Sequence, residues 1–488
     1  MTDIHPRGVA TLEQFSVYRW RWPALAVLLV AEAMDMLDAL IATIASPAIR
    51  ADLGGGASTM QWLGAAYALA MAVGLITGGR LGDIAGRRRM FLIGATGFTA
   101  ASLACAVADS PGMLIGARGL QGLFGAIMIP QGLGIIKEMF HGRELGQAFG
   151  MFGPVMGLAY VGGPVFAGWL IQLDPLGAGW RTIFLINLPL GVCALLGGWR
   201  FLPESRSPDR PRLDLVGVAL ASLAALLVVY PLVQGRELGW PAWTFGCLGA
   251  GIATFALFGW YESRVAKAGG DPLVVPSLFR KRAFAGGLAM GTVFFAAVAG
   301  FSLVLSLYLQ LGLAYSPVQA GLASLPWSAG LILGFVALHF AEKRTEPGRA
   351  VIQSGTVVMA AGIAAFIATL DADPTGWRLA PALVLTGLGM GLIMGPFFGT
   401  VLSAVDPHES GSASGTLTAV QQLGAALGVA VLGTVLFGSL GGADHLAPGT
   451  PGAFTGPMEV TLWVEVALLA ATLLASWFLP RHGHPQEH

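Results

Sequence analysis

Charge is scarce in this chain. Asp, Glu, Lys and Arg make up 11% of its 488 residues, against about 25% in a soluble globular protein. So few charges exclude water as the only solvent of the folded surface. Cysteine is scarce too. Cys105, Cys193 and Cys247 each lie in an apolar run, with no spacing that suggests a metal site or a disulfide framework. They read as core fillers, and no metal is expected. No HExxH motif is present, and GLGMG (Gly387 to Gly391) has neither a strand nor a P-loop lysine beside it. That stretch reads as helix packing. The formal net charge is zero, so no global field points to nucleic acid or an acidic partner. The opening residues are polar and lack the short apolar region and small-residue cleavage site of a secretory signal.

What is present is apolar. The hydrophobic fraction is 55%, and there are 70 glycines, about double average usage. In membrane-spanning helices glycine allows close helix packing. A helix needs about 20 mainly apolar residues to cross the hydrocarbon core. Fourteen such runs are expected: 23–48, 60–79, 90–108, 113–136, 145–172, 181–201, 214–233, 242–261, 284–309, 319–340, 350–370, 379–403, 411–438 and 460–479. No alternating ten-residue pattern suggests a barrel. With the N-terminus placed inside, 22 Lys and Arg residues fall on inner segments and 4 on outer ones, with Arg118 left within a span. Positive residues favour the cytoplasmic side, so both termini are expected there, in a multi-pass protein of the inner (plasma) membrane.

Two loops repeat. GGRLGDIAGRRRMF (Gly78 to Phe91) follows the second span, and ALHFAEKRTEPGRAV (Ala337 to Val351) follows the tenth. Each puts an acid, then a glycine and a basic residue, at a span's inner exit: Asp83 with Gly86 and Arg87, and Glu342 with Gly348 and Arg349. The match predicts two related six-helix bundles, over 23–205 and 266–480, with two inserted helices over 206–265. Residues 1–22 and 481–488 form cytoplasmic ends, and His482, His484 and His488 read as solvated. Transporters built from two such halves bind substrate at the repeat interface.

The first span carries three acids, Glu32, Asp35 and Asp38. Steps of three place them on a stripe about 120° wide. A charge at bilayer depth costs roughly 2.5–3.5 kcal/mol even on the lenient scale, so three facing lipid would cost about 8–10 kcal/mol. The stripe must therefore face a polar cavity, or some members must hold protons. A helix-helix hydrogen-bond contact is the plainer alternative. A desolvated carboxylate can cycle a proton near neutral pH, which makes these acids a proton and cation site. Arg118 is the one basic residue deep in a span, and Asp35 or Asp38 is its expected partner. A fixed structural salt bridge is the alternative there. Asn187, Gln310, Gln421 and Gln422 are polar cavity candidates. Glu465, nearer the outer end of its span, reads as a snorkelling or water-exposed acid, or else as a second acidic contact.

The Gly78 to Phe91 loop resembles the signature of the major facilitator superfamily, through Gly79, Asp83, Gly86 and Arg87, with Ile84 where that family often has arginine. IGARGLQGLFGA (Ile115 to Ala126) is similar to its fourth-span motif. MGLAYVGGPVFAGWL (Met156 to Leu170) is similar to its antiporter motif through Gly157, Gly163, Pro164 and Gly168, with Ala159-Tyr160 and Ala167 departing from it. DMLDALIATIASPAI, WRTIFLINLPLG, LYLQLGLAYSPVQAGLASLP and ESGSASGTLTAVQQLGAALGVAVLGT resemble the branch of drug:proton antiporters with fourteen spans.

The resemblance implies an all-α membrane protein of the major facilitator fold and no enzyme. It also implies proton-coupled export of a lipophilic drug or antibiotic by alternating access. The acids and one arginine leave a negative cavity, which favours cationic or neutral substrates. The alternative is movement, in either direction, of one endogenous metabolite such as a self-made antibiotic or siderophore. No ATP site is visible, so the energy source is expected to be an ion gradient with no cofactor. The partners expected are the small-molecule substrate, protons and lipid, for a chain acting as a monomer.

Overall fold

The computed structural model describes residues 18–140, 144, 147–148, 151–174, 177–205, 213–342, 348–370, 376–402, 405, 410–440 and 451–480. The first 17 residues and the 481–488 tail, with its histidines, lie outside the described residues, as do the basic residues Arg143, Arg206, Arg210, Arg212, Lys343 and Arg344.

Helix follows wherever the apolar runs fall. We number the long helices α1 (Arg21–Leu53), α2 (Ala57–Ala85), α3 (Arg87–Ala106), α4 (Pro111–Met139), α5 (Phe152–Leu173) and α6 (Asn187–Phe201). Then come α7 (Leu215–Gln234), α8 (Ala242–Lys267), α9 (Arg282–Leu307), α10 (Pro317–Glu342), α11 (Arg349–Thr369), α12 (Gly376–Leu402), α13 (Ser410–Ser439) and α14 (Pro451–Ser476). Short helical turns at Gly179–Arg181 and Thr182–Leu185 lead into α6. Among the described residues, twelve helical runs are long and apolar enough to cross a membrane. Neither α1 nor α5 is among those twelve, so the expected count of fourteen is not reached on that measure. The acids in the middle of α1 account for its omission.

Helices α1, α2, α4, α10 and α13 overrun their apolar windows at both ends, while others are shifted. The largest difference is α14, which begins at Pro451 rather than near 460. Its first turns, PGAFTGP, have no apolar signature, yet Phe454 and Met458 are buried in the main apolar core. Proline at the first position leaves no needed hydrogen bond unmade. After α9 the chain winds into one π turn at Tyr308–Gly312, all of it buried. π turns of this kind are frequent at functional sites.

Packing repeats along the chain. Helix α2 lies on α4 as α10 lies on α12, and α1 lies on α5 as α9 lies on α13. Small residues make the crossings close. A Cβ on Gly78 would be 2.8 Å from the Ala126 carbonyl carbon of α4, and one on Gly330 would be 2.9 Å from the Val384 carbonyl carbon of α12. With lipid outside, such close packing is what holds helices together.

Helices from the two sets meet at the end reached by the C-terminus of α1. A Cβ on Gly168 of α5 would be 2.6 Å from Val318 Cα of α10, and one on Gly321 would be 2.5 Å from the Pro164 carbonyl oxygen. Gln61 Nε2 of α2 donates to the Val429 and Ala430 carbonyls of α13 at 3.4 and 3.3 Å. Gln310 Nε2 donates to the Ile44 carbonyl at 2.9 Å. These contacts close one end of the space between the sets. Helices α7 and α8 pack on each other, and α7 also touches α2 and α13.

Candidate functional site

The space between the sets holds a cavity of about 160 Å3. Leu40 and Thr43 of α1, Tyr67 of α2 and Arg118 of α4 line one side. Phe295 and Ser302 of α9, Trp327 of α10, and Gln421 and Gln422 of α13 line the other.

Arg118 sits at the wall of this cavity and Asp38 lies behind it as its partner, both almost wholly buried. Arg118 Nη1 pairs with Asp38 Oδ2. The other carboxylate oxygen, Asp38 Oδ1, accepts from Gln121 Nε2 at 2.8 Å and from Asn187 Nδ2 at 2.7 Å. Three donors from two helices, α4 and α6, thus converge on one carboxylate of α1. Asn187 in turn donates to Ser102 Oγ at 2.9 Å, and Ser102 Oγ donates to the Phe184 carbonyl at 2.9 Å. Arg118 also donates through Nε to the Leu63 carbonyl at 3.1 Å, and its guanidinium lies 4.4 Å from the centroid of the Tyr67 ring. Its Nη2 has no hydrogen-bond partner. A cation over an aromatic face is stabilised by the ring quadrupole, so Tyr67 shares the charge that Asp38 balances.

Asp35 lies one turn earlier on α1 and accepts a hydrogen bond from the Tyr67 hydroxyl. Tyr67 therefore touches both members of the acid pair's network, one through its hydroxyl and the other through Arg118. Gly125 of α4 keeps room for Asp35: a Cβ there would sit 3.2 Å from Asp35 Oδ1.

The expected residues separate into distinct places. Asp35, Asp38, Arg118 and Asn187 come together in one network, and Gln421 faces the same cavity. Glu32 does not line that cavity. It is half-buried beside a small void formed with Leu28, Phe91, Met128 and Gly132. Gln310 serves the closed end, where its amide also donates to Ser306 Oγ at 3.0 Å. Glu465 is 1% exposed and neither carboxyl oxygen has a partner, so it is a dry acid rather than one reaching water. Tyr67 was missed by sequence reasoning. The lone tyrosine in the apolar middle of α2 was the available signal. Trp327, whose Nε1 is unpartnered at the cavity wall, was missed as well.

The loop motif forms a compact corner. Arg87 Nη2 pairs with Asp83 Oδ1 at 2.9 Å across one helical turn. Gly86 breaks the helix at φ 107°, a conformation that glycine adopts at little steric cost. Arg87 lies flat over Gly134 of α4, where a Cβ would be 2.6 Å from its guanidinium carbon. Gly79 faces Pro130 of α4 at ordinary contact distance. Gly163, by contrast with Gly168, faces α1, where its Cβ would be 3.4 Å from Leu37.

Residues 27–429 match the Major Facilitator Superfamily. The chain is similar to a probable actinorhodin transporter of Streptomyces coelicolor, with 50% identity over 427 residues, covering 87% of this chain and 74% of that protein. It is 36% identical to a puromycin resistance protein of Streptomyces alboniger, over 94% of this chain and 91% of the relative. It is 33% identical to the tetracenomycin C resistance and export protein of Streptomyces glaucescens, over 90% and 81%. Among solved structures, a bacterial homologue of the human drug peptide transporters PepT1 and PepT2 superposes with a TM-score of 0.63 at 16% identity, covering 93% of this chain and 97% of that one. That likeness speaks for the fold. With the fold, the family match and three relatives in agreement, the chain is an all-helical membrane protein and belongs to the Major Facilitator Superfamily.

Proposed function

We propose that this protein exports antibiotic-type lipophilic molecules, driven by proton entry through the Asp38–Arg118 network. The single observation that carries the reading is that Arg118, the buried partner of Asp38, forms part of the wall of a cavity shared by both sets of helices. The three relatives, named for transport of or resistance to antibiotics, support the cargo class.

Protonation of Asp38 removes the negative charge that holds Arg118, Gln121 and Asn187. Arg118 is then left with one cation, two aromatic neighbours and a cavity in front of it. A proton on Asp38 and a cationic or hydrogen-bonding substrate near Arg118 alter the same local charge, so their occupancies compete. Asp35, bonded to the wall residue Tyr67, supplies a second exchangeable proton beside the same network. Gln421, Gln422 and Trp327 offer polar contacts to the cargo from the opposite side. As the halves rock, Gly168 and Gly321 allow the closed end to seal.

The same reading includes fourteen spans. Helix α1 has 33 residues, about 50 Å of helix at 1.5 Å per residue. Helix α5 has 22 residues and contains no charge, about 33 Å on the same scale. Both are long enough to cross. Six helices, the α7–α8 pair and six more then make two bundles over 23–205 and 266–480 with an insert over 206–265. The basic-residue bias supports cytoplasmic termini in the plasma membrane. The chain works as a monomer on lipid, with protons as its energy source and no cofactor.

A second reading has one observation in its favour. At 50% identity to a probable actinorhodin transporter, the cargo is a single compound made by the producing cell. One experiment tests both. Purified protein in sealed vesicles is given an imposed pH gradient and a panel of dyes and antibiotics. Gradient-driven uptake into inside-out vesicles supports export. Broad uptake supports the first reading, and a single transported member supports the second. No flux with any member under any gradient overturns the proposal.

A further inference from the structure

The central cavity, at about 160 Å3, is below the roughly 300–1,000 Å3 of a drug-sized site. A second chamber of about 520 Å3 is within that range. It lies to the side, between the α7–α8 pair and the crossing of α2 with α13. Phe255 and Phe258 of α8, Phe279, Val73 of α2, Ala289 of α9 and Val420 of α13 line it.

The insert is clasped at both ends and stands off between them. At one end Glu237 accepts from Ser58 N and Ser58 Oγ, each at 2.8 Å, and Thr434 Oγ1 donates to the Leu232 carbonyl at 2.7 Å. At the other, Arg80 donates to the Asp271 carbonyl at 3.0 Å and to the Pro272 carbonyl. The chamber is what remains between these clasps.

One acid faces this apolar space. Glu262 of α8 lines the chamber and is 3% exposed. Its Oε2 accepts from Val274 N at 2.9 Å, while its Oε1 has no partner among the described residues. Asp214, which accepts from Gly217 N and the Tyr261 hydroxyl, also has an unpartnered oxygen, Oδ2. Both unpartnered oxygens would lie 2.5 Å from a Cβ on Gly217, so the missing side chain lets the two carboxyl groups face each other. Arg80, which donates to the 271–272 carbonyls, lies close enough to both acids to be felt electrostatically. A buried acceptor without a donor is costly, because it has given up its bonds to water. The pair therefore calls for a donor between or beside its oxygens: a proton, or the N–H of a ligand.

We propose that this chamber is a second binding site, for a planar lipophilic cation, with Glu262 as its acceptor and Phe255, Phe258 and Phe279 as its apolar and cation–π walls. The proposal rests on the export reading for what the ligand is. It adds a place where cargo waits while the central cavity is too small to admit it. Among the described residues no Lys or Arg lines the chamber, which disfavours an anion.

The test uses the full chain in lipid nanodiscs and rhodamine 6G as the probe. Wild type binds it saturably. Glu262→Gln keeps the shape but weakens binding about tenfold. Ala289→Trp, which fills the chamber from an exposed position, abolishes that site. Asp38→Asn leaves binding at the chamber intact. Thermal melting checks that each variant is folded, and Ala221→Phe replaces Ala289→Trp if the latter does not fold. The proposal is overturned if Glu262→Gln and the filled variant bind and pump rhodamine 6G like wild type. It is also overturned if filling the chamber releases a bound phospholipid and leaves dye binding unchanged. Absence of flux in wild type would instead count against the export reading, because chamber binding is read without a gradient.

Discussion

Arg118 of α4 pairs with Asp38 of α1, and both side chains are about 1% exposed. Three other pairs, such as Arg21 with Glu144, are partly exposed. Breaking a buried pair by removing one partner is far more harmful than its net worth suggests, because the other charge is left without compensation. Arg118→Ala is therefore expected to destabilise the protein by about 3–5 kcal/mol. Arg118→Ala combined with Asp38→Asn should recover most of that loss without recovering coupled transport. Thermal unfolding in detergent, run beside vesicle flux, reads both. Equal stability of the single and double variants would count against the pairing.

Tyr67 has two attachments that can be separated. Tyr67→Phe removes the hydroxyl that donates to Asp35 but keeps the ring 4.4 Å from the Arg118 guanidinium. A hydrogen bond to a charged group is worth about 1.5–3 kcal/mol, so efflux should fall roughly tenfold or more and the melting temperature should drop, though less than in Tyr67→Ala. Tyr67→Ala removes the ring as well and should lower both activity and stability. Wild-type flux in Tyr67→Phe would remove Asp35 from the proton path.

The crossing of α5 with α10 is expected to control closure of one end. Gly168→Leu or Gly321→Leu places a side chain where the partner backbone lies within about 3 Å. Spin labels on the two helices should then report a longer distance, and flux should fall at least tenfold. Gly163→Ala, whose added methyl would only touch Leu37 at 3.4 Å, should be tolerated. Equal effects at Gly163 and Gly168 would contradict this division.

The polar residues should divide in their kinetics. Gln421→Ala and Gln422→Ala, at the cavity wall, should raise the KM for cargo severalfold with a small change in maximal rate. Gln310→Ala, which loses its bond to the Ile44 carbonyl, should change the maximal rate and leave KM alone. Matching KM changes at all three would put Gln310 in the cargo site.

Much of this architecture is legible in the chain because lipid imposes a simple rule: apolar runs become helices, and misplaced charges need partners. Asp35, Asp38 and Arg118 stood out for that reason, and they meet. Asn187 was legible as a polar residue within a span, but its partner was not, since the bond to Asp38 joins α6 to α1 across 149 positions. Spacing placed Glu32 on one stripe with the aspartates, yet a 60° drift along a helix is enough to turn it toward α4 and a separate void. Glu465 looked shallow by position, and only packing revealed its burial. The start of α14 escaped detection because its first turns are held by Phe454 and Met458 in the core rather than by hydropathy. The side chamber had no sequence signature at all, because its walls come from six separate segments.

The most direct measurement is rhodamine 6G movement through Asp38→Asn in sealed vesicles, with and without a pH gradient. The variant should still exchange dye across the membrane when dye gradients alone drive it. It should fail to accumulate dye when the pH gradient is the sole driving force. Accumulation at the wild-type rate would place the coupling proton elsewhere and contradict the central role given to this carboxylate.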